Sequence, residues 1–164
     1  MAIKRKRGYT LMEVLLVVAI LGIVGGMGAP LLMQMTNFWR QTTARNTIQR
    51  DVRTTLDLVN RFARQAKSST LVIDAAAGQP PCSRVTYTSV QGETVSFFQT
   101  GNKLFMSMAG KTSMLTENLA YISFTYPRTD DITLLSVAIT AQAATYRGGK
   151  KALQLSIQKV RIMN

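Results

Sequence analysis

Histidine is absent from the 164 residues, cysteine occurs once, and 8 acidic residues stand against 20 Lys and Arg. Each shortage excludes a chemistry. Without imidazole, the Ser-His-Asp and Cys-His arrangements and most zinc sites are unavailable. A lone Cys82 can form neither an internal disulfide nor a thiolate cluster. Only four prolines and 17% charged residues accompany 46% hydrophobic ones. That composition can bury a core, and it is unlike that of a disordered chain. The length allows one domain, or one domain with an appendage. The expectation is a protein that is not an enzyme, with no metal, no cofactor and no small-molecule substrate.

The net charge of +12 is unevenly placed, since Lys4-Arg5-Lys6-Arg7 hold four of the twenty basic residues. From Tyr9 onward 16 basic residues face 8 acidic ones. After Gly8, the stretch from Val14 to Met33 contains no polar or charged side chain. Twenty such residues make about 30 Å of helix, the hydrocarbon thickness of a bilayer. A cleaved secretory signal would have a shorter apolar region, with Gly26-Met27-Gly28-Ala29 as a small-residue cut site. A plain anchor would hold the basic cluster in the cytoplasm and leave the rest outside. Neither reading explains Glu13, a carboxylate at the edge of the apolar run that needs a partner or a task.

Lys4-Arg5-Lys6-Arg7-Gly8 followed by Tyr9-Thr10-Leu11-Met12-Glu13-Val14-Leu15-Leu16 resembles the processing signal of type IV prepilins and prepseudopilins. The likeness lies in a short basic leader, Gly at the cut, an aromatic first residue and Glu fifth after the cut. Tyr9 stands where Phe is more usual, and Met12 where Ile or Leu is commoner. The resemblance implies that a prepilin peptidase cuts between Gly8 and Tyr9, and that the amine of Tyr9 is then methylated. It also implies that Glu13 pairs with the amine of another subunit during filament docking. In lipid, such a pairing relieves two expensive isolated charges, and Glu13 stands about 6 Å along the helix from Tyr9.

Gly22, Gly25, Gly26, Gly28 and Pro30 crowd the far half of the apolar run. Each Gly costs about 1 kcal/mol against Ala in a helix interior and Pro about 3, which makes a weak point. Gly22 and Gly26 also have the spacing that lets helices approach closely. The resemblance implies a kink or local melting at Pro30 on filament assembly, and Gly26 and Pro30 are the expected helix break.

From Thr36 to Lys67 the apolar residues Ile48, Val52, Leu56, Val59, Phe62, Ala63 and Ala66 recur at three- and four-residue steps, on one face. Arg45, Arg50, Arg53, Arg61 and Arg64 are interspersed, and Asp57 precedes Arg61 by four. One long helix from about Leu11 to Lys67 is expected. Residues 40–67 carry seven basic and two acidic side chains, which suit water, phospholipid headgroups or DNA alike.

Beyond the helix the period falls to two. Leu71–Ile73, Arg84–Val90, Thr94–Gln99, Lys103–Met108, Ala120–Tyr126 and a run through Leu135, Val137 and Ile139 read as strands. Short turns at Gln91-Gly92-Glu93 and Thr100-Gly101-Asn102 favour an antiparallel sheet. In Ala152–Ile162, Leu153, Leu155 and Ile157 share one face while Val160 and Ile162 fall on the other. A bulge near Gln158-Lys159 would realign them. Gly110-Lys111-Thr112 lacks the earlier Gly of a phosphate loop, since Phe105 occupies that position, and reads as a turn. Asp130-Asp131 falls short of a calcium ligand set. Gly148-Gly149-Lys150-Lys151 reads as an exposed turn, and Cys82 as a free thiol beside Pro80-Pro81.

The expected fold is α+β and pilin-like, with one long N-terminal helix packed on a single antiparallel sheet. Its segments are a leader at 1–8, a transmembrane or filament-core helix at 9–35, an amphipathic helix at 36–67 and a β-rich head at 68–164. The resemblance implies a structural minor pilin or pseudopilin of a type IV pilus or type II secretion system. Its partners would be prepilin peptidase, other pilin subunits and inner-membrane lipid, with the leader cytoplasmic and the head outside. Many major pilins close a C-terminal loop with two cysteines, and this chain cannot. The alternative is a membrane-anchored DNA-binding protein of a DNA-uptake system.

Overall fold

The computed structural model describes residues 8–145 and 151–163. The basic leader Lys4-Arg5-Lys6-Arg7 and the Gly148-Gly149-Lys150 part of the expected turn lie outside them. Chain contacts divide the protein into two units, Met1–Arg40 and Gln41–Asn164. A single helix, α1 (Leu11–Ala63), supplies the first unit and opens the second.

In the second unit α1 buries Ile48, Val52, Thr55, Leu56, Val59 and Ala63, the face that the three- and four-residue spacing defines. Arg45, Arg50, Arg53, Arg61 and Arg64 are exposed. Full burial of one such aliphatic side chain stabilises by about 1.5–3 kcal/mol, so this seam is a main source of cohesion. Backbone bonds then fasten the end of the helix. Lys67 N–H donates to Thr88 O at 2.9 Å and Val90 N–H to Gln65 O at 2.9 Å. A 3-10 turn at Ser68–Thr70 leads into the strands.

Among the described residues eight strands follow: β1 (Val72–Asp74), β2 (Arg84–Thr88), β3 (Thr94–Thr100), β4 (Lys103–Met108), β5 (Lys111–Thr116), β6 (Leu119–Thr125), β7 (Leu134–Ala144) and β8 (Lys151–Arg161). They form two antiparallel sheets, of order β1-β2-β3-β4-β5 and β6-β7-β8, where one had been expected. The division has a local cause. Leu104 pairs with Thr116 but Phe105 with Met114, so Leu115 is an extra residue in β5. Likewise Leu119 pairs with Ala141 and Tyr121 with Thr140, so Ala120 is extra in β6. Bulges raise local twist, and two of them within a few residues turn the chain out of the first sheet.

The sheets nevertheless share one core of buried residues, which includes Tyr87, Phe97, Leu104, Ile122, Phe124, Leu135 and Ile139. Aromatic residues help to fill this core, with Phe62 edge-on to Phe97 at 6.5 Å. Gln99, only 3% exposed, joins the two sheets. Its Oε1 accepts from Ile122 N–H at 3.1 Å, and its Nε2 donates to Gly101 O at 2.7 Å and to Ala120 O at 3.4 Å. Phe124 N–H adds a bond to Cys82 O at 2.9 Å.

Two sequence expectations are corrected by the strands. Lys111 and Thr112 begin β5, and the turn is confined to Ala109 and Gly110, with φ of 50° and 78°. Positive φ at both central residues is the tight hairpin geometry whose twist matches the flanking strands. No bulge realigns β8 either. It pairs with β7 without a break from Leu134↔Arg161 to Ala144↔Lys151. With a period of two, burying Val160 and Ile162 turns Leu153, Leu155 and Ile157 to solvent.

Two buried polar groups in the head predict opposite mutational outcomes. Replacing Gln99 with Met strands the buried Ile122 N–H and should lower unfolding stability by about 1–3 kcal/mol. The Tyr87 hydroxyl, by contrast, is buried without a hydrogen-bond partner among the described residues. Tyr87→Phe should therefore be neutral or slightly stabilising in urea unfolding of the full chain in neutral detergent. Burial pushes the Tyr87 phenol well above its ordinary 10.0. Stability is therefore insensitive to this phenol below pH 10 and falls at higher pH as the unfolded phenol ionises, a loss the Phe variant escapes.

Candidate processing and assembly site

Gly8, Tyr9 and Thr10 precede α1, and all three are exposed. Thr10 is placed to cap the helix. Its Oγ1 accepts from Glu13 N–H at 3.3 Å, and its carbonyl accepts from Glu13 N–H at 3.0 Å and Val14 N–H at 3.3 Å. A hydroxyl in this position satisfies one of the N–H groups that a helix start leaves unpaired. Glu13 lies in the first turn, where the positive end of the helix dipole favours a carboxylate. Thus Tyr9, Thr10 and Glu13 come together within one turn. Thr10 was not singled out from the sequence, although Thr-x-x-Glu ahead of an apolar run is the signature of a capping box.

Beyond this turn the helix is apolar on every side and uncovered. Leu11, Val14, Leu15, Val18, Leu21 and Val24 are all more than half exposed, and an 18-residue window has a mean hydropathy of 2.4 with none of it buried. A helix hydrophobic all round has no stable surroundings in water. Tyr9 and the exposed pair Phe38 and Trp39 bracket the run. Twenty-nine steps along a helix separate Tyr9 from Phe38, about 44 Å, close to a bilayer with its headgroup layers. Aromatic residues are enriched at those two depths.

Gly26 and Pro30 stand one turn apart in an unbroken stretch of α1. Pro30 has no N–H to give the Gly26 carbonyl, so one rung of the helix ladder is missing there. The expected break is thus a weakened rung, with α1 continuous across it. A Cβ built at Gly22, Gly25, Gly26 or Gly28 would meet nothing within 4 Å. No steric demand within this chain calls for glycine at these positions.

The remaining candidates in the head are occupied by local structure. Asp131 Oδ1 accepts from the N–H of Thr133 at 2.9 Å and from its hydroxyl. These two bonds, chiefly the one from the hydroxyl, hold the Asp131 carboxyl below its usual range. Among the described residues no group of three His, Cys, Asp or Glu is placed to hold a metal ion. Cys82 has a positive φ of 62° in the loop after Pro80-Pro81, where its carbonyl serves Phe124.

A long N-terminal apolar helix followed by antiparallel sheets defines an α+β protein of pilin-like arrangement. Residues 3–29 match the family model described as the prokaryotic N-terminal methylation motif, and over that segment the chain is type IV prepilin-like. No curated protein and no solved structure matches the chain significantly.

The cap gives a direct test. Thr10→Ala leaves the Glu13 amide only its contact with the Thr10 carbonyl and should cost about 0.5–1 kcal/mol at the helix start. Amide hydrogen exchange at Glu13, measured in micelles, should speed up by about two- to fivefold. Exchange beyond Val18 should be unchanged.

Proposed function

We propose that this protein is a structural subunit of a filament, a minor pilin or pseudopilin of a type IV pilus or type II secretion pseudopilus. The match of residues 3–29 to the methylation motif carries the reading. The uncovered apolar half of α1 supports it, because such a surface requires lipid before assembly and neighbouring stems after it. In this reading residues 1–8 are the leader, residues 9–35 the inner-membrane and filament-core stem, residues 36–67 the amphipathic continuation, and residues 68–164 the head outside the cytoplasm.

Prepilin peptidase cuts the bond between Gly8 and Tyr9, and the new amine of Tyr9 is methylated. The cut lies just outside the cap, so Thr10 still closes the helix in the mature chain. Glu13 then presents a carboxylate, one turn from the end of its own stem, to the amine of a neighbouring subunit. Two charges that are each costly in hydrocarbon neutralise one another only when the stems are aligned, which gives docking its register. The missing rung between Gly26 and Pro30 lets the stem bend or melt locally as it leaves the bilayer.

Mass spectrometry of the protein from cells with an active prepilin peptidase should find a mature species beginning at methylated Tyr9. A chain that retains Gly8 would refute the processing. Glu13→Val should remain membrane-inserted yet enter filaments at a small fraction of the normal level, and normal incorporation would remove the pairing. A deletion strain scored together for pili, secretion and DNA uptake distinguishes the filament systems.

A further inference from the structure

The outer edge of the second sheet is a feature of the head that filament entry through the stem leaves without a role. β8 forms one edge of the order β6-β7-β8, and it is an 11-residue strand. Ile162 N–H donates to Thr133 O at 2.7 Å, on the side of β7. Backbone groups alternate sides along a strand, and the register with β7 has no break. Leu153, Leu155, Ile157, Lys159 and Arg161 therefore direct their N–H and C=O groups to the open edge. The same five residues place their side chains on the outer face. Leu153, Leu155 and Ile157 are 67%, 63% and 63% exposed.

Proteins ordinarily blunt such an edge with charge, proline or a bulge, because a long apolar edge is a template for another strand. Here the blunting residues are missing from the middle of the strand and basic residues stand near its ends. From Ile132 to Asn164 the chain has five basic residues and no acidic one. The C-terminal end of β8 opens into a cleft of about 560 Å³ lined by Arg64, Ser68, Thr133, Arg161, Ile162 and Met163. Asp131, its carboxyl held below the usual range by the Thr133 bonds, keeps a negative charge near Arg161 and Arg128, so the basic excess at this end falls chiefly to Lys159 and Arg64.

We propose that β8 is a docking edge for an extended segment of a partner protein, apolar at alternate positions and acidic near its ends. The segment adds as a fourth strand beside β8. Its main chain pairs with the outward groups of Leu153 to Arg161. Its apolar side chains lie across from Leu153, Leu155 and Ile157, and its terminal acids reach Lys159, Arg161 and the Arg64 cleft. Charge selects this occupant over a second copy. Antiparallel self-pairing about Ser156 or Leu155 would set Arg161 or Lys159 against Lys151, like charges that destabilise a cross-strand pair, and pairing about Ile157 would set Lys159 and Arg161 against Leu155 and Leu153 with no acid to meet them. A lipid surface would meet the apolar stripe and the basic ends, but acyl chains offer nothing to the outward backbone groups. The inference rests on the head alone and does not depend on processing at Gly8.

The test uses the full chain in neutral detergent micelles and a fluorescent peptide of alternating valine and threonine with two glutamates at each end. Its anisotropy should rise on binding, and a version with lysines for glutamates should bind at least tenfold more weakly. Leu155→Pro removes one outward N–H without touching the β7 ladder and should weaken binding at least tenfold. Leu155→Thr, which keeps the strand intact, should weaken it less. Lys159→Glu combined with Arg161→Glu should invert the preference between the two peptides. Three results would overturn the proposal: no binding of the acidic peptide, equal binding of both peptides, or indifference to these substitutions. Disulfide-linked dimers of an Ile157→Cys, Cys82→Ser chain would assign the edge to a second copy instead. Displacement of the peptide by anionic vesicles would assign it to lipid.

Discussion

Hydrocarbon cannot hydrogen-bond a peptide group, and that constraint orders the whole of this chain. A segment with no covering from its own protein and no water around it must close every backbone bond internally, which only a continuous helix does for a single strand of chain. α1 meets the requirement by running as one element from Leu11 to Ala63. The exceptions occur where the chain has another means of satisfying a group, or reason to leave it weak. At the start, the Thr10 hydroxyl accepts from the Glu13 N–H. At Pro30 a carbonyl is left without its rung, toward the far end of the apolar run.

The second half of the same helix is governed by water instead. There one stripe is buried and the arginines are solvated. Neither sheet could stand well alone: β6-β7-β8 is small, and both depend on the common core under α1. Their union is specified by a buried amide as much as by apolar packing. Gln99 bonds Gly101 O in the turn after its own strand and Ala120 O and Ile122 N–H in β6, so a shifted packing of the sheets would leave the Ile122 N–H and the Gln99 Oε1 unpaired. Apolar contacts make the two sheets cohere, and Gln99 fixes how they meet.

Elements with strong periodicity were readable from residue types. The α1 seam through Ile48, Val52, Leu56 and Val59 follows from spacing alone, and β4 has the bounds its pattern suggests, Lys103–Met108. β5 was missed because Lys111-Thr112-Ser113-Met114 is exposed edge strand with nothing alternating. In β8 a bulge near Gln158-Lys159 was expected, and the pairing with β7 has none. Three large aliphatics normally mark an inner face, and here the long register with β7 outweighs their burial. The division into two sheets depends on extra residues at Leu115 and Ala120, which no local pattern announces. At the N-terminus, charge, apolar length and the position of Glu13 were plain in the sequence, and Thr10 was signalled there by Thr-x-x-Glu although its role emerged only from the bond.

The order of strands in each sheet is simply their order in the chain. Every ladder in the head can therefore close as a hairpin soon after its second strand emerges, with little loop entropy to overcome. Few bonds reach far back; one is Asn118 Nδ2 to Asp51 Oδ2 at 3.0 Å, across 67 residues. Since α1 precedes all of the strands, its buried face is already present when they form. A head so organised can finish folding while its stem is still held in lipid, and it would enter any assembly as a completed part.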